Sequence, residues 1–113
     1  MSPQASTALG RARVSASILD ADLGNLAHAV RRAEAAGADR VHLDIMDGHF
    51  VPNMTFGPRT IKALRKRTRL PFEAHLMIDQ PGRYLDEYLD AGCDSVTIRS
   101  RGAGGVPPLI AYW

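Results

Sequence analysis

Ala36-Gly37-Ala38-Asp39-Arg40-Val41-His42-Leu43-Asp44-Ile45-Met46 runs from a helix stop into a strand of alternating character. Gly37 suits a left-handed helix terminus, and from Val41 onward the side chains fall into two sets spaced two residues apart. Val41, Leu43 and Ile45 share one side, while His42, Asp44 and Met46 share the other. The same joint returns as Ala91-Gly92-Cys93-Asp94-Ser95-Val96. A helix-to-strand joint that recurs two βα units later points to a sheet built from repeated units.

On either side of this stretch the two periods alternate. Val14-Ser15-Ala16-Ser17-Ile18-Leu19 reads as a short strand. Leu23, Leu26, Ala27, Val30 and Ala33 recur at helical spacing, with Asp22 as the N-cap. Pro58 suits a first helical position before Ile61 and Leu64. Phe72 to Met77 reads as a third strand, and Pro81 opens a helix carrying Leu85, Tyr88 and Leu89 that Gly92 stops. Ser95 to Ile98 gives a fourth strand. The order β-α-β-α-β-α-β predicts parallel strands joined by right-handed crossovers, in a barrel or in a doubly wound open sheet. From Arg99 to Trp113, Gly and Pro stand where another helix would begin, and the segment reads as a disordered or poorly packed tail.

Composition narrows the class. The chain has 113 residues, a formal net charge of +2, 45% hydrophobic and 23% charged residues. That is one globular domain, too short for a whole (β/α)₈ barrel of about 250 residues. The single cysteine, Cys93, permits no internal disulfide and favours a reducing, cytoplasmic home. No apolar run approaches the roughly 18 residues of a membrane span, and the first ten residues lack the pattern of a secretory signal. The basic cluster Arg65, Lys66, Arg67 and Arg69 lacks interleaved aromatics, so it reads as a solvated helix end and not as a nucleic-acid surface.

Parallel strands flanked by helices usually read as near-continuous apolar runs. Here three strands each carry a polar side: Ser15 and Ser17, then His42 and Asp44, then Glu73 and His75. A polar interior is costly unless its groups are paired or hold a ligand. His42 and Asp44 on one strand with His75 on the next suit a first-row divalent ion such as zinc, iron or manganese, though core histidines satisfied by their neighbours give the same spacing. Glu73 is open to two readings, an ordinary polar contact or a partner that holds an imidazole. Met46 and Met77 suit gap-filling in a core, and His28 and His49 suit the surface. Asp47-Gly48-His49-Phe50-Val51-Pro52-Asn53 is unusually apolar for a loop, as a lid over a site or a loop tucked against the body would be.

Residues 13 to 98 resemble the ribulose-phosphate 3-epimerase family. The resemblance rests on Ser17-Ile18-Leu19 with Ala21-Asp22, on Ala36-Gly37-Ala38-Asp39, and above all on His42-Leu43-Asp44-Ile45-Met46-Asp47-Gly48-His49-Phe50-Val51-Pro52-Asn53. Thr55-Phe56-Gly57 and His75-Leu76-Met77-Ile78 continue it. It implies an α/β fold, a partial (β/α)₈ TIM barrel of about four parallel βα units spanning 13–98, after a flexible segment 1–12 and before a divergent tail 99–113. It further implies a divalent metal (Zn, Fe, Mn or Co) on His42, Asp44 and His75, and Asp44 as a catalytic acid–base. Ser17, His42, Met46, His75 and Met77 would contact a sugar phosphate, D-ribulose 5-phosphate, whose carbon 3 is epimerised through an enediolate. The cytoplasmic enzyme would be a homo-oligomer of the pentose phosphate pathway, with no nucleic acid and no membrane.

The family's second catalytic aspartate and its phosphate-binding loops belong to the carboxyl-terminal half of the barrel. After Ile98 the family continues with a His-x-Glu run, where Arg99, Ser100 and Arg101 stand here. The abrupt loss of similarity resembles a frame change or a truncated gene. Two further readings follow: an allulose-6-phosphate epimerase-like enzyme, or a non-catalytic fragment that binds metal or a partner. Four barrel strands alone would leave the first and fourth as open edges, so the chain is expected to be marginal or to dimerise.

Overall fold

In the computed structural model, residues 12–99 and 109–112 are described. The elements are β1 (Ser15–Ser17), a 3₁₀ turn (Leu23–Asn25), α1 (Leu26–Ala35), β2 (Arg40–Met46), α2 (Pro58–Arg65), β3 (Phe72–Met77), α3 (Pro81–Ala91), β4 (Ser95–Arg99) and β5 (Leu109–Tyr112). The strands form one sheet in sequence order. β1, β2, β3 and β4 pair in parallel, as consecutive βα units of a barrel do.

One face of the sheet makes the core. Val41, Leu43, Phe72, Ala74, Leu76 and Val96 are fully buried and pack with Val30 of α1, Ile61 of α2 and Tyr88 of α3. On β2 and β3 these buried residues alternate strictly with half-buried ones. That alternation places Arg40, His42, Asp44 and Met46 beside Glu73, His75 and Met77 on the opposite face.

The recurring joint has one structural job, performed twice. Gly37 and Gly92 end their helices at φ of 89° and 122°. Asp39 then accepts the Val14 amide on Oδ2 at 2.6 Å and donates its own amide to the Val14 carbonyl at 2.8 Å. Asp94 does the same for Phe72, at 2.8 Å in each direction. Each aspartate clasps the start of the strand that precedes its own helix.

Three expectations change. β1 is shorter than Val14–Leu19, because the Ser17 hydroxyl takes the Leu19 amide at 3.2 Å and turns the chain out of the strand. Arg65 is not a solvated helix end. Its guanidinium lies 3.8 Å over the Phe72 ring and donates to the carbonyls of Gly92, Thr68 and Leu70. The third change concerns the tail, read as disordered or poorly packed: its stretch Leu109–Tyr112 is a strand, antiparallel to β4 with Val96 opposite Tyr112 and Arg99 opposite Leu109. β4 is therefore not an open edge. Residues 1–11, most of the expected flexible segment, lie outside the described residues, as do 100–108 and 113.

Candidate metal centre

Sheet register assembles the site. Ser17 is the pairing partner of His42, His42 of Glu73, Asp44 of His75, and Met46 of Met77. Partners across a parallel pair sit side by side on one face, so alternation within strands and register between them bring these residues together. Asp44 is the hub. Its Oδ1 lies 3.1 Å from His42 Nε2 and 3.5 Å from His75 Nδ1, and its Oδ2 accepts the Ser17 hydroxyl at 3.1 Å. The two imidazoles meet edge-on with centroids 5.8 Å apart.

A donor atom from each of His42, Asp44 and His75 falls within 4.8 Å of the other two. Metal–ligand bonds of about 2.0–2.2 Å put neighbouring ligand atoms roughly 3.0–3.5 Å apart on an octahedron or tetrahedron. The separations around Asp44 Oδ1 match that edge length. Side-chain exposures of 25%, 13% and 18% for His42, Asp44 and His75 leave the cluster partly shielded yet open to an entering ion.

His42 turns its Nε2 to the same point. Its Nδ1 lies 2.6 Å from Glu73 Oε1, which accepts the Nδ1–H. A neutral ring then turns the Nε2 lone pair toward a carboxylate oxygen. Two electron-rich atoms at that separation need a cation or a proton to hold them together, and this donor set suits a first-row divalent ion.

Glu73 is itself held, by the Ser15 hydroxyl at 2.9 Å and by Arg40 Nη1 at 3.1 Å. Burial raises its pKa, but the hydrogen bonds from His42, Ser15 and Arg40 outweigh burial and leave it below the usual carboxylate value. Sequence reading singled out neither Ser15 nor Arg40 for this job. The signal was their parity with Ser17 and His42; what was missing was the register.

The loop after β2 is tied down. Asp47 Oδ1 accepts the amides of His49 and Phe50 at 2.8 and 2.9 Å, and Oδ2 accepts the Asp79 amide at 2.8 Å. Burial pushes Asp47 up and these three amides pull it down, to a net pKa of about 2. Thr55 donates to the Asp44 carbonyl at 2.7 Å and accepts the Met46 amide at 3.0 Å, which returns the loop to the strand it left. His49 and His28 are exposed, as their positions suggested, and Phe50 is half-buried. Beyond the loop, Asp47, His49, Asp79, Arg83 and Tyr84 line a cavity of about 340 Å³. Cys93 is buried and its thiol is pushed up to about 12, which removes it from nucleophilic chemistry.

Comparison with known proteins agrees with this architecture. Residues 13–103 match the ribulose-phosphate 3 epimerase family. The ribulose-phosphate 3-epimerase of Bacillus subtilis (strain 168) is 44% identical over 88 residues, 78% of this chain and 41% of that protein. That of Treponema pallidum (strain Nichols) is 48% identical over 81 residues, 72% of this chain and 37% of that protein. The ribulose-5-phosphate-3-epimerase, chloroplastic, of Arabidopsis thaliana is 46% identical over 85 residues, 75% of this chain and 30% of its own. The chain thus spans about two fifths or less of the length of these relatives. With four parallel strands alternating with helices as a partial TIM barrel, it belongs to the ribulose-phosphate 3-epimerase family.

Proposed function

We propose that this chain carries the metal-holding half of a site that interconverts D-ribulose 5-phosphate and D-xylulose 5-phosphate. The convergence of His42, Asp44 and His75 on one point carries the reading, with the family membership beside it. A divalent cation (zinc, iron, manganese or cobalt) held by those three residues supplies positive charge against the charge that develops when the proton beside the ketone leaves.

The chain's own residues do the rest. Asp44 takes or returns the proton at carbon 3, and its hydrogen bond from Ser17 fixes the carboxylate plane. Ser17 also offers its hydroxyl oxygen to a substrate hydroxyl. Met46 and Met77, register partners one step beyond the ligands, exclude water from the reacting carbon without competing as donors. The single cysteine supports a reducing, cytoplasmic home, and we place the chain there as a homo-oligomer.

A second reading, metal binding without turnover, has its own observation. Epimerisation needs a proton-transfer group on each face of the carbon. Among the described residues the carboxylates that join this hydrogen-bonded cluster are Asp44 and Glu73, and Glu73 is engaged by His42, Ser15 and Arg40. Turnover of D-ribulose 5-phosphate by the purified chain, with added Zn²⁺, Mn²⁺, Fe²⁺ or Co²⁺ and normalised to bound metal, separates the two. Metal-dependent formation of xylulose 5-phosphate establishes the epimerase. Bound metal without product leaves the binding reading, and no bound metal removes both.

A further inference from the structure

We infer that Glu73 is a positioning residue that sets the tautomer and aim of His42, and that Arg40 and Ser15 make it rigid enough to do so. The inference rests on the metal reading above and adds to it a residue that contacts no reacting atom. An imidazole ligates through a bare nitrogen, so its proton must sit on the other one. Glu73 Oε1 at 2.6 Å from Nδ1 secures the proton there and leaves Nε2 facing Asp44.

The fixity of Glu73 is visible in its partners. Oε1 also accepts the Ser15 hydroxyl, and Oε2 is paired with Arg40 at 3.1 Å. Both oxygens are therefore engaged, by donors from two different strands. Arg40 balances the negative charge of a carboxylate whose side chain is only 18% exposed, which lowers the cost of holding it there ionised. Glu73 is also the register partner of His42, so backbone pairing fixes the separation that the hydrogen bond spans. A carboxylate behind a ligating imidazole raises the basicity of the ligand, and its loss typically costs about 10–100-fold in metal affinity.

The test is cobalt binding to the purified full chain, followed by visible absorption and by competition with zinc. Wild type, Glu73→Ala, Glu73→Gln and His42→Ala are compared, with imidazole ¹⁵N spectra of the zinc-loaded protein alongside. Glu73→Ala is expected to bind Co²⁺ about 10–100-fold more weakly. Glu73→Gln, which keeps an oxygen able to accept from Nδ1–H, should lose less, and His42→Ala should lose the site. In the zinc-loaded wild type His42 should carry its proton on Nδ1 and hold the metal through Nε2. Should Glu73→Ala fail to fold, Glu73→Gln and the wild-type spectrum decide. Unchanged affinity in the glutamate variants with binding lost in His42→Ala, or a wild-type proton on Nε2, overturns the role of Glu73 and leaves the metal centre standing. Unchanged affinity in His42→Ala removes the metal reading itself.

Discussion

Asp94 and Phe72 exchange two hydrogen bonds: the Phe72 amide donates to Asp94 Oδ2, and the Asp94 amide donates to the Phe72 carbonyl, both at 2.8 Å. The pair welds the foot of β3 to the joint that feeds β4. Because Arg65 also reaches Asp94 Oδ2 at 3.3 Å, Asp94→Ala leaves an amide and a guanidinium short of an acceptor. The expected cost is about 1–2 kcal/mol, the size of a lost helix N-cap. Urea denaturation checks it, with a lower midpoint and an unchanged slope as the expected result.

The two helix-stop glycines separate conformational from steric cost. At Gly37 an added Cβ meets open space, so Gly37→Ala carries only the strain of a positive φ, about 1 kcal/mol. At Gly92 the same Cβ falls 2.5 Å from Arg65 Cδ and 2.8 Å from Cγ. Gly92→Ala should therefore cost about 1–2 kcal/mol more than Gly37→Ala, since it displaces Arg65 from Phe72 and from its carbonyl partners. Paired thermal melts give the difference. Equal losses would show that Arg65 moves freely.

Asp47 sets an acid limit. Its folded pKa of about 2 lies below the ordinary 3.8. A depressed carboxyl contributes stability that is present in full above the unfolded value and fades as pH falls through the folded one. Melting temperature should drop between about pH 4 and pH 2, and Asp47→Asn should flatten that drop while lowering stability at neutral pH. An identical acid profile in the variant would place the sensitivity elsewhere.

Much of the fold was open to a reader of the sequence. Strand parity put His42 and Asp44 on one side of β2 and the apolar core on the other, and Gly37, Pro58, Pro81 and Gly92 bounded the helices where they are found. Register was not open to that reader. That Glu73 stands beside His42, and His75 beside Asp44, depends on pairing between segments about thirty residues apart, so Ser15 and Arg40 went without their jobs. β5 was missed for a related reason. Leu109-Ile110-Ala111-Tyr112 follows two prolines and has no period of its own, and it becomes a strand only because β4 offers a partner edge.

With β4 covered by β5, the two ends of the sheet among the described strands are β1 and β5, each with no neighbour beyond it. A bare edge is a template for another chain. Light scattering after size exclusion is expected to give a dimer or larger assembly. A monomer that melts sharply above about 65 °C, the upper range for mesophile domains, would refute this.

Zinc K-edge absorption spectroscopy on the zinc-loaded chain reads the ligands directly. Two imidazole rings per zinc are expected in the wild type, with oxygen at about 2.0–2.2 Å, and a single ring after His75→Ala. A wild-type spectrum without imidazole scattering, or one that His75→Ala leaves unchanged, would contradict a shared ion on His42, Asp44 and His75.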